Sequence, residues 1–453
     1  MLLVPGMLAT PCCAWAQSLR LPAGQQISRA ELQARVGATV VAGRSADDAV
    51  ARLAAGALQA RRVGRTTLTL VTDQGAQAGV PLTVTPGDLD GTVGAIYLFP
   101  SGLAGGIEPN THTDFDLGNK AWWMSDWPGF AAARDRDLAA LQQLYDRHPR
   151  TLLIIYFPLY LADASYGGTY LDELQAVLQW FNDHGIETML FFGRPDYHYA
   201  GADSQAYADP TTDMTQQDYV VAALDATLGH GSVASLVHLV SVYYMGLAAN
   251  AGRTTANVLA YNQRLKATIN SHGPDRAVCP GDNACLRYIQ HVDGPFWEAG
   301  YADPSNWNEN GYTPADISPA NGASDGLMAE SWVQGSLPVG LAYLFDNGYF
   351  GREQVMVIND IPNCDDAAVA ALPGGRCATG DGASAAAVDS DNAMWFGWLR
   401  DAGVRAWSRW DYADAGSGDV NAYGAVDAAG VTMTENARQQ QRHAGIFLDG
   451  FDR

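Results

Sequence analysis

TLLIIYFPLY, Thr151 to Tyr160, is an almost unbroken apolar run rich in β-branched and aromatic side chains. A strand with one solvated face alternates apolar and polar residues, whereas a run without alternation belongs to a strand covered on both faces. Seven more runs of this kind occur: AIYLFPSG (95–102), ETMLFFGRPDY (187–197), SLVHLVSVYYMG (235–246), YIQHVDGPFW (288–297), GLMAESWVQG (326–335), QVMVINDIP (354–362) and RAWSRWDY (405–412). Between them lie segments with helical spacing, for example Leu171, Leu174, Leu178 and Phe181, or Val258, Leu259, Leu265 and Ile269. Thr215 and Asp218 stand at capping-box spacing before another helix. The crossover 298–325 shows no helical periodicity and reads as a long loop.

Buried strands alternating with helices predict an α/β fold. Eight units fit a (β/α)8 TIM-type barrel better than an open doubly wound sheet, and no Gly-rich phosphate fingerprint follows the first run. Upstream, Ser28 and Glu31 form a capping-box pattern flanked by a hydrophobic staple, Ile27 with Leu32, so a helix begins there. The Ala-rich stretch 48–60 reads as a second amphipathic helix, and TTLTLVTDQGAQAGVPLTVTP (66–86) as a β-hairpin. Residues 17–92 therefore form a small α+β module, closed by the Pro/Gly/Asp cluster TPGDLDG (85–91), and 93–425 the barrel. A polar C-terminal tail, 426–453, follows, in which TENARQQQRH is a helix or a linker.

The 453 residues carry 27 basic and 49 acidic side chains, a formal charge of −22, which repels nucleic acid, anionic lipid and polyanionic polysaccharides at long range and leaves neutral or basic partners. No apolar run reaches the roughly 18–20 residues of a membrane span. The start, MLLVPGMLATPCCAWAQS, has an apolar core and Ala14-Trp15-Ala16 before Gln17, resembling a signal peptide over 1–16, though without a basic n-region. Export follows, extracellular or periplasmic, with a bacterial source and a monomeric protein expected. Cys12 and Cys13 would be removed, leaving the local, loop-like pairs Cys279/Cys285 and Cys364/Cys377 to form disulfide bonds. Neither spacing suits zinc, and no metal or cofactor is expected.

In such barrels the working groups stand at the C-terminal strand ends. Asp196 follows the third run, Asp293 and Glu298 the fifth, Glu330 ends the sixth, Asp360 the seventh and Asp411 the eighth. Aromatic residues accompany them: Tyr156, Tyr243, Trp297, Trp332 and Trp410, with Trp122 and Trp123 in the first loop. Sugar rings offer C–H faces to aromatic planes and hydroxyls to carboxylates, and glycosidic cleavage needs one protonated and one ionised carboxyl.

Taken together, these runs and acids resemble the (β/α)8 superfamily of secreted glycoside hydrolases over about residues 94–415, in architecture rather than by a family signature. In the largest clan of that superfamily the acid/base follows strand four and the nucleophile strand seven. Asp360 matches the second position, but the fourth run ends SVYYMG, without a carboxylate. Other barrel glycosidases, with a carboxylate after strand five or six, are more similar. The resemblance thus implies Glu330 as general acid/base and Asp360 or Asp293 as its partner, with Asp196 and Asp411 binding hydroxyls. Arg194 would hold a carboxylate ionised and His198 would hydrogen-bond substrate. An Asp beyond a strand can equally be a helix N-cap, and strand aromatics can be barrel core. Two alternatives stay open: a non-catalytic carbohydrate-binding barrel, and a metal-dependent hydrolase, for which only His198 and His291 lie near strand ends, His291 in the barrel core. No G-x-S-x-G elbow supports a serine nucleophile. The ending HAGIFLDGFDR resembles a short C-terminal motif of exported proteins of certain Gram-negative bacteria.

Overall fold

A computed structural model describes residues 19–22, 26–54, 56–62, 64–85, 89, 92–97, 150–157, 159–162, 164, 167–183, 187–192, 209–242, 252–272, 286–292, 312–331, 336–359, 385–409, 411–413, 424–426 and 435–449. The chain divides into two compact units, Met1–Thr85 and Pro86–Arg453.

In the first unit, β1 (Leu19–Pro22), β3 (Val40–Ser45), β6 (Gly64–Thr72) and β7 (Gln77–Thr85) form a sheet ordered β1-β7-β6-β3, and β2 (Gln26–Ser28), β4 (Ala51–Ala54) and β5 (Ala57–Ala60) a second, ordered β2-β5-β4. The helix α1, Arg29–Val36, starts where its cap predicts. Ser28 Oγ accepts the Glu31 amide at 3.2 Å, and Ile27 and Leu32 are both buried. The Glu31 carboxylate pairs with Arg35, 3.3 Å away. The 66–86 hairpin forms as the antiparallel pair β6/β7. The helix expected over 48–60 does not form: β4 and β5 pair antiparallel there, with Leu53 opposite Leu58. Gly56, at φ 91°, makes the turn in a left-handed conformation that glycine reaches without strain. The two sheets approach closely at Gly43, where a Cβ would meet Leu53 Cδ2 at 2.7 Å and Leu70 Cδ2 at 2.9 Å.

The second unit contains a closed parallel barrel of β8 (Thr92–Tyr97), β9 (Arg150–Phe157), β10 (Glu187–Phe192), β11 (Leu239–Val242), β12 (Arg287–Val292), β13 (Gly326–Ser331), β14 (Val355–Asn359) and β15 (Ala406–Arg409), β15 pairing with β8 to close it. Each strand lies within or overlaps one of the eight apolar runs. Alternate residues point inward: Leu152, Ile154 and Tyr156, Met189 and Phe191, Met356 and Ile358 pack with Leu239, Ile289, Met328 and Ala406. Leu89, also in that cluster, donates its amide to Glu353 O and closes the N-terminal pole. The intervening residues, among them Leu153, Phe157, Leu190 and Val357, pack with buried helical residues.

The helices among the described residues of this unit are α2 (Thr169–Asp183), α3 (Met214–Gly229), α4 (Val233–Leu236), α5 (Thr255–Ser271), α6 (Ser336–Asp346), α7 (Ala385–Ala402) and α8 (Glu435–Asp449). Leu171, Leu174, Leu178 and Phe181 of α2 are buried as their spacing predicts. The cap of α3 is Asp213, whose carboxylate accepts the Thr215 and Gln216 amides at 2.8 and 3.1 Å, and not Thr215. The first part of the 235–246 run belongs to α4, so the fourth strand is shorter than the run. The 298–325 crossover carries two short 3-10 turns, Pro314–Ile317 and Pro319–Asn321. Helix α6 begins at Ser336, ahead of Pro338, which sits in the first turn where its missing N–H leaves no intrahelical bond unmade.

The C-terminal stretch is not simply a polar tail. Asn436, Ala437, Gln439 and Gln440 of α8 are buried. Asn392 Nδ2 on α7 donates to Asn436 Oδ1 at 2.9 Å and to Gln439 Oε1 at 3.3 Å, and Gln439 Nε2 donates to Ala385 O at 2.8 Å. Buried amides that bond one another hold these helices together beside the apolar Ala437 and Ala444, which are part of the core. No helix among the described residues is long and apolar enough to cross a membrane.

Candidate active site

Because all eight strands run parallel, their C-terminal ends share one pole, and the loops leading into α3 and α5 return from it. Glu330 is the fifth residue of β13. It is in register with Ile358 of β14 and two residues beyond Met328, near the C-terminal end of its strand. On one side β12 ends at Val292, paired with Ala329; on the other β14 ends at Asn359, paired with Ser331. Asp293 and Asp360 are the next residues in sequence, and both lie outside the described residues.

Of the other candidates, Tyr156 is buried inside the barrel, its ring edge-on to Phe191 with centroids 5.7 Å apart. Asp411 lies just beyond the eighth barrel strand, which ends at Arg409. It opens β16 (Asp411–Ala413), a short strand paired with β17 (Gly424–Val426), with Asp411 opposite Gly424. Arg194, Asp196, His198, Tyr243, Trp297, Glu298, Trp332, Trp410, Trp122 and Trp123 lie outside the described residues, as do Cys279, Cys285, Cys364 and Cys377. His291 is buried against Phe191, ring centroids 5.2 Å apart, as its expected place in the core requires. Two strand-end positions escaped the sequence reading. Asn359 pairs with Arg409, which pairs with Ala95, so both stand level with Ser331 in the barrel register. The signal for them was only their place at the end of an apolar run.

The described electrostatics at this pole centre on Asp209 and Arg253, immediately before α3 and α5. Arg253 Nε lies 2.8 Å from Asp209 Oδ2, with Nη2 closer still, and both side chains are buried. Asp209 Oδ1 also accepts the Thr211 amide and hydroxyl at 2.9 and 2.7 Å. Tyr261 lies beneath them on α5. Burial, and then the Asp209 carboxylate, push its hydroxyl pKa well up against the opposing effect of Arg264. Arg264 in turn donates to Gln217 Oε1 at 2.8 Å and pairs with Asp218 at 2.6 Å, linking α5 to α3. No group of three or more His, Cys, Asp or Glu suited to a metal ion occurs among the described residues.

No protein-family model and no curated protein matches this chain. Solved structures similar to it include an exo-β-1,4-mannosidase from Opitutaceae bacterium strain TAV5, at 14% identity and TM-score 0.49, over 83% of this chain and 60% of that one. Others are a broad-specificity endoglucanase from Bacteroides salanitronis (13%, TM-score 0.43, 78% of this chain, 92% of that) and an endo-β-mannanase/endo-β-glucanase from Prevotella bryantii (11%, 0.48, 79% and 49%). The chain thus spans 60% of the length of the mannosidase.

Proposed function

We propose that this chain is a glycoside hydrolase cleaving a neutral or basic poly- or oligosaccharide, with Glu330 as general acid/base and Asp360 or Asp293 as its carboxylate partner. The observation that carries the reading is the position of Glu330: in register with Ile358 near the C-terminal end of β13, a strand flanked by two others whose next residues in sequence are aspartates. In that role Glu330 donates its proton to the leaving glycosidic oxygen while the ionised partner attacks the anomeric carbon or activates water. A carboxyl separation of about 5–5.5 Å would give retention, and about 6.5–9.5 Å inversion. The chain's formal charge of −22 supports uncharged or cationic glycans over polyanions at the barrel. Export of a monomer, with Cys279–Cys285 and Cys364–Cys377 disulfides, belongs to the same proposal.

The test is release of reducing ends from a polysaccharide panel by the full chain. Glu330→Gln should lower turnover by about 10²- to 10⁴-fold with the unfolding midpoint unchanged. Binding without turnover by the parent protein would instead identify a carbohydrate-binding barrel, and loss of activity on chelation a metal-dependent hydrolase.

A further inference from the structure

Charge is divided unevenly between the two ends of the barrel. The stretches that follow β9 to β15 (158–168, 193–213, 243–254, 293–313, 332–335, 360–384 and 410–434) carry 17 Asp or Glu against three Arg and no Lys, a formal −14. The stretches that lead back into β10 to β15 (184–186, 230–238, 272–286, 322–325, 347–354 and 403–405) carry four acids against three Arg, a formal −1. Parallel strands make this a difference between poles, because every departing stretch starts at the C-terminal one. Of its three arginines, Arg253 is already engaged in the buried ion pair with Asp209.

A second observation lies inside the barrel at the same pole. Leu239 of β11 and Phe191, the register partner of Ser241, both belong to the interior cluster, so Ser241 faces inward, one residue before its strand ends. Its hydroxyl is fully buried and has no hydrogen-bond partner among the described residues. Burying a hydroxyl without a partner is costly, and alanine would fill the place without that cost. The hydroxyl therefore suits a polar group that comes from outside the chain, at the C-terminal pole.

Resting on the hydrolase reading above, we propose that the glycan taken at this pole is cationic: a polymer of amino sugars with free, protonated amines, one of whose polar groups bonds Ser241 directly or through one water. A pole of one sign concentrates an oppositely charged ligand and repels a like-charged one, by about 10- to 10³-fold in association rate. Protonated amines repeated along a polymer meet many carboxylates at once, whereas a neutral polymer gains nothing from them. An ammonium group donates hydrogen bonds and accepts none, so carboxylates and a serine oxygen are the partners it needs.

The experiment gives the full chain a β-1,4-linked glucosamine hexasaccharide and its N-acetylated counterpart, which has the same backbone without the charge. Neutral mannan, neutral glucan and polygalacturonate are run beside them. At low salt, kcat/KM from reducing-end release should be about tenfold or more higher on the free-amine hexasaccharide. The advantage should shrink as salt rises toward about 1 M, where charges are screened beyond about 3 Å. Ser241→Ala should raise KM about fivefold with the unfolding midpoint kept. Equal rates on the two hexasaccharides, an advantage indifferent to salt, a KM unmoved by Ser241→Ala, or turnover confined to the neutral polymers or polygalacturonate overturns the inference and leaves the hydrolase reading standing. Turnover of no glycan removes both.

Discussion

Asp209 and Arg253, 44 positions apart in sequence, form a buried ion pair that joins the start of α3 to the start of α5. Removing one partner leaves a charge in a place water does not reach. Arg253→Gln is expected to cost about 3–5 kcal/mol in chemical denaturation, and Asp209→Asn/Arg253→Gln less than the two single costs together. Additive losses would show that the residues act separately.

The barrel interior rests on Phe191, which meets Tyr156 edge-on and His291 at a tilt. Phe191→Ala should therefore lower stability by about 3–5 kcal/mol, through lost transfer energy and the cavity left behind. A loss below about 1 kcal/mol in urea melts would mean that the interior repacks freely.

Gly326 begins the strand that carries Glu330. A Cβ there would stand 2.7 Å from Gln354 O and 3.0 Å from Ile289 Cδ1, and the carbonyl belongs to backbone that cannot swing aside. Gly326→Ala is expected to destabilise by about 1–3 kcal/mol. It should also lower turnover on any substrate found, because β13 must shift. Parent-like stability would show that the strands part without cost.

Acid should weaken the α7/α8 contact. Partial burial works against the charge of Asp389, but hydrogen bonds and charge from His443, at 3.0 Å, and Arg442, at 3.1 Å, prevail and hold its pKa below the usual carboxylate range. A depressed folded-state pKa contributes stability above about pH 4 and loses it as pH falls through the folded value. The pair is partly exposed, so the effect is under about 1 kcal/mol. The difference in unfolding midpoint between parent and Asp389→Asn should close on acidification from pH 7 to pH 3. A difference that widened would reverse the sign.

The eight barrel strands were legible because burial on both faces removes alternation, leaving runs such as Leu152 to Phe157 with no polar member. The 48–60 stretch misled because alanine is compatible with either structure. Leu53 and Leu58, directly opposed across the β4/β5 hairpin, also suit a helical stripe, and Gly56 was the one local signal of a turn. Helix α8 was obscured for a different reason. Its packing against α7 uses Asn392, Asn436 and Gln439, so much of its core face is polar and only Ala437 and Ala444 are apolar there among the described side chains. Of the site, sequence could place Glu330 at a strand end, because strand ends follow from the apolar runs. The pairing of Asp209 with Arg253 depends on two loops meeting in space, and no periodicity encodes that.

The column of side chains from Leu89 up through Met328, Ile358 and Tyr156 fills the barrel axis. A polymer therefore cannot thread through the molecule from pole to pole. Under the proposed function, a glycan would therefore meet the barrel from the C-terminal ends of its strands and lie across them rather than along the axis.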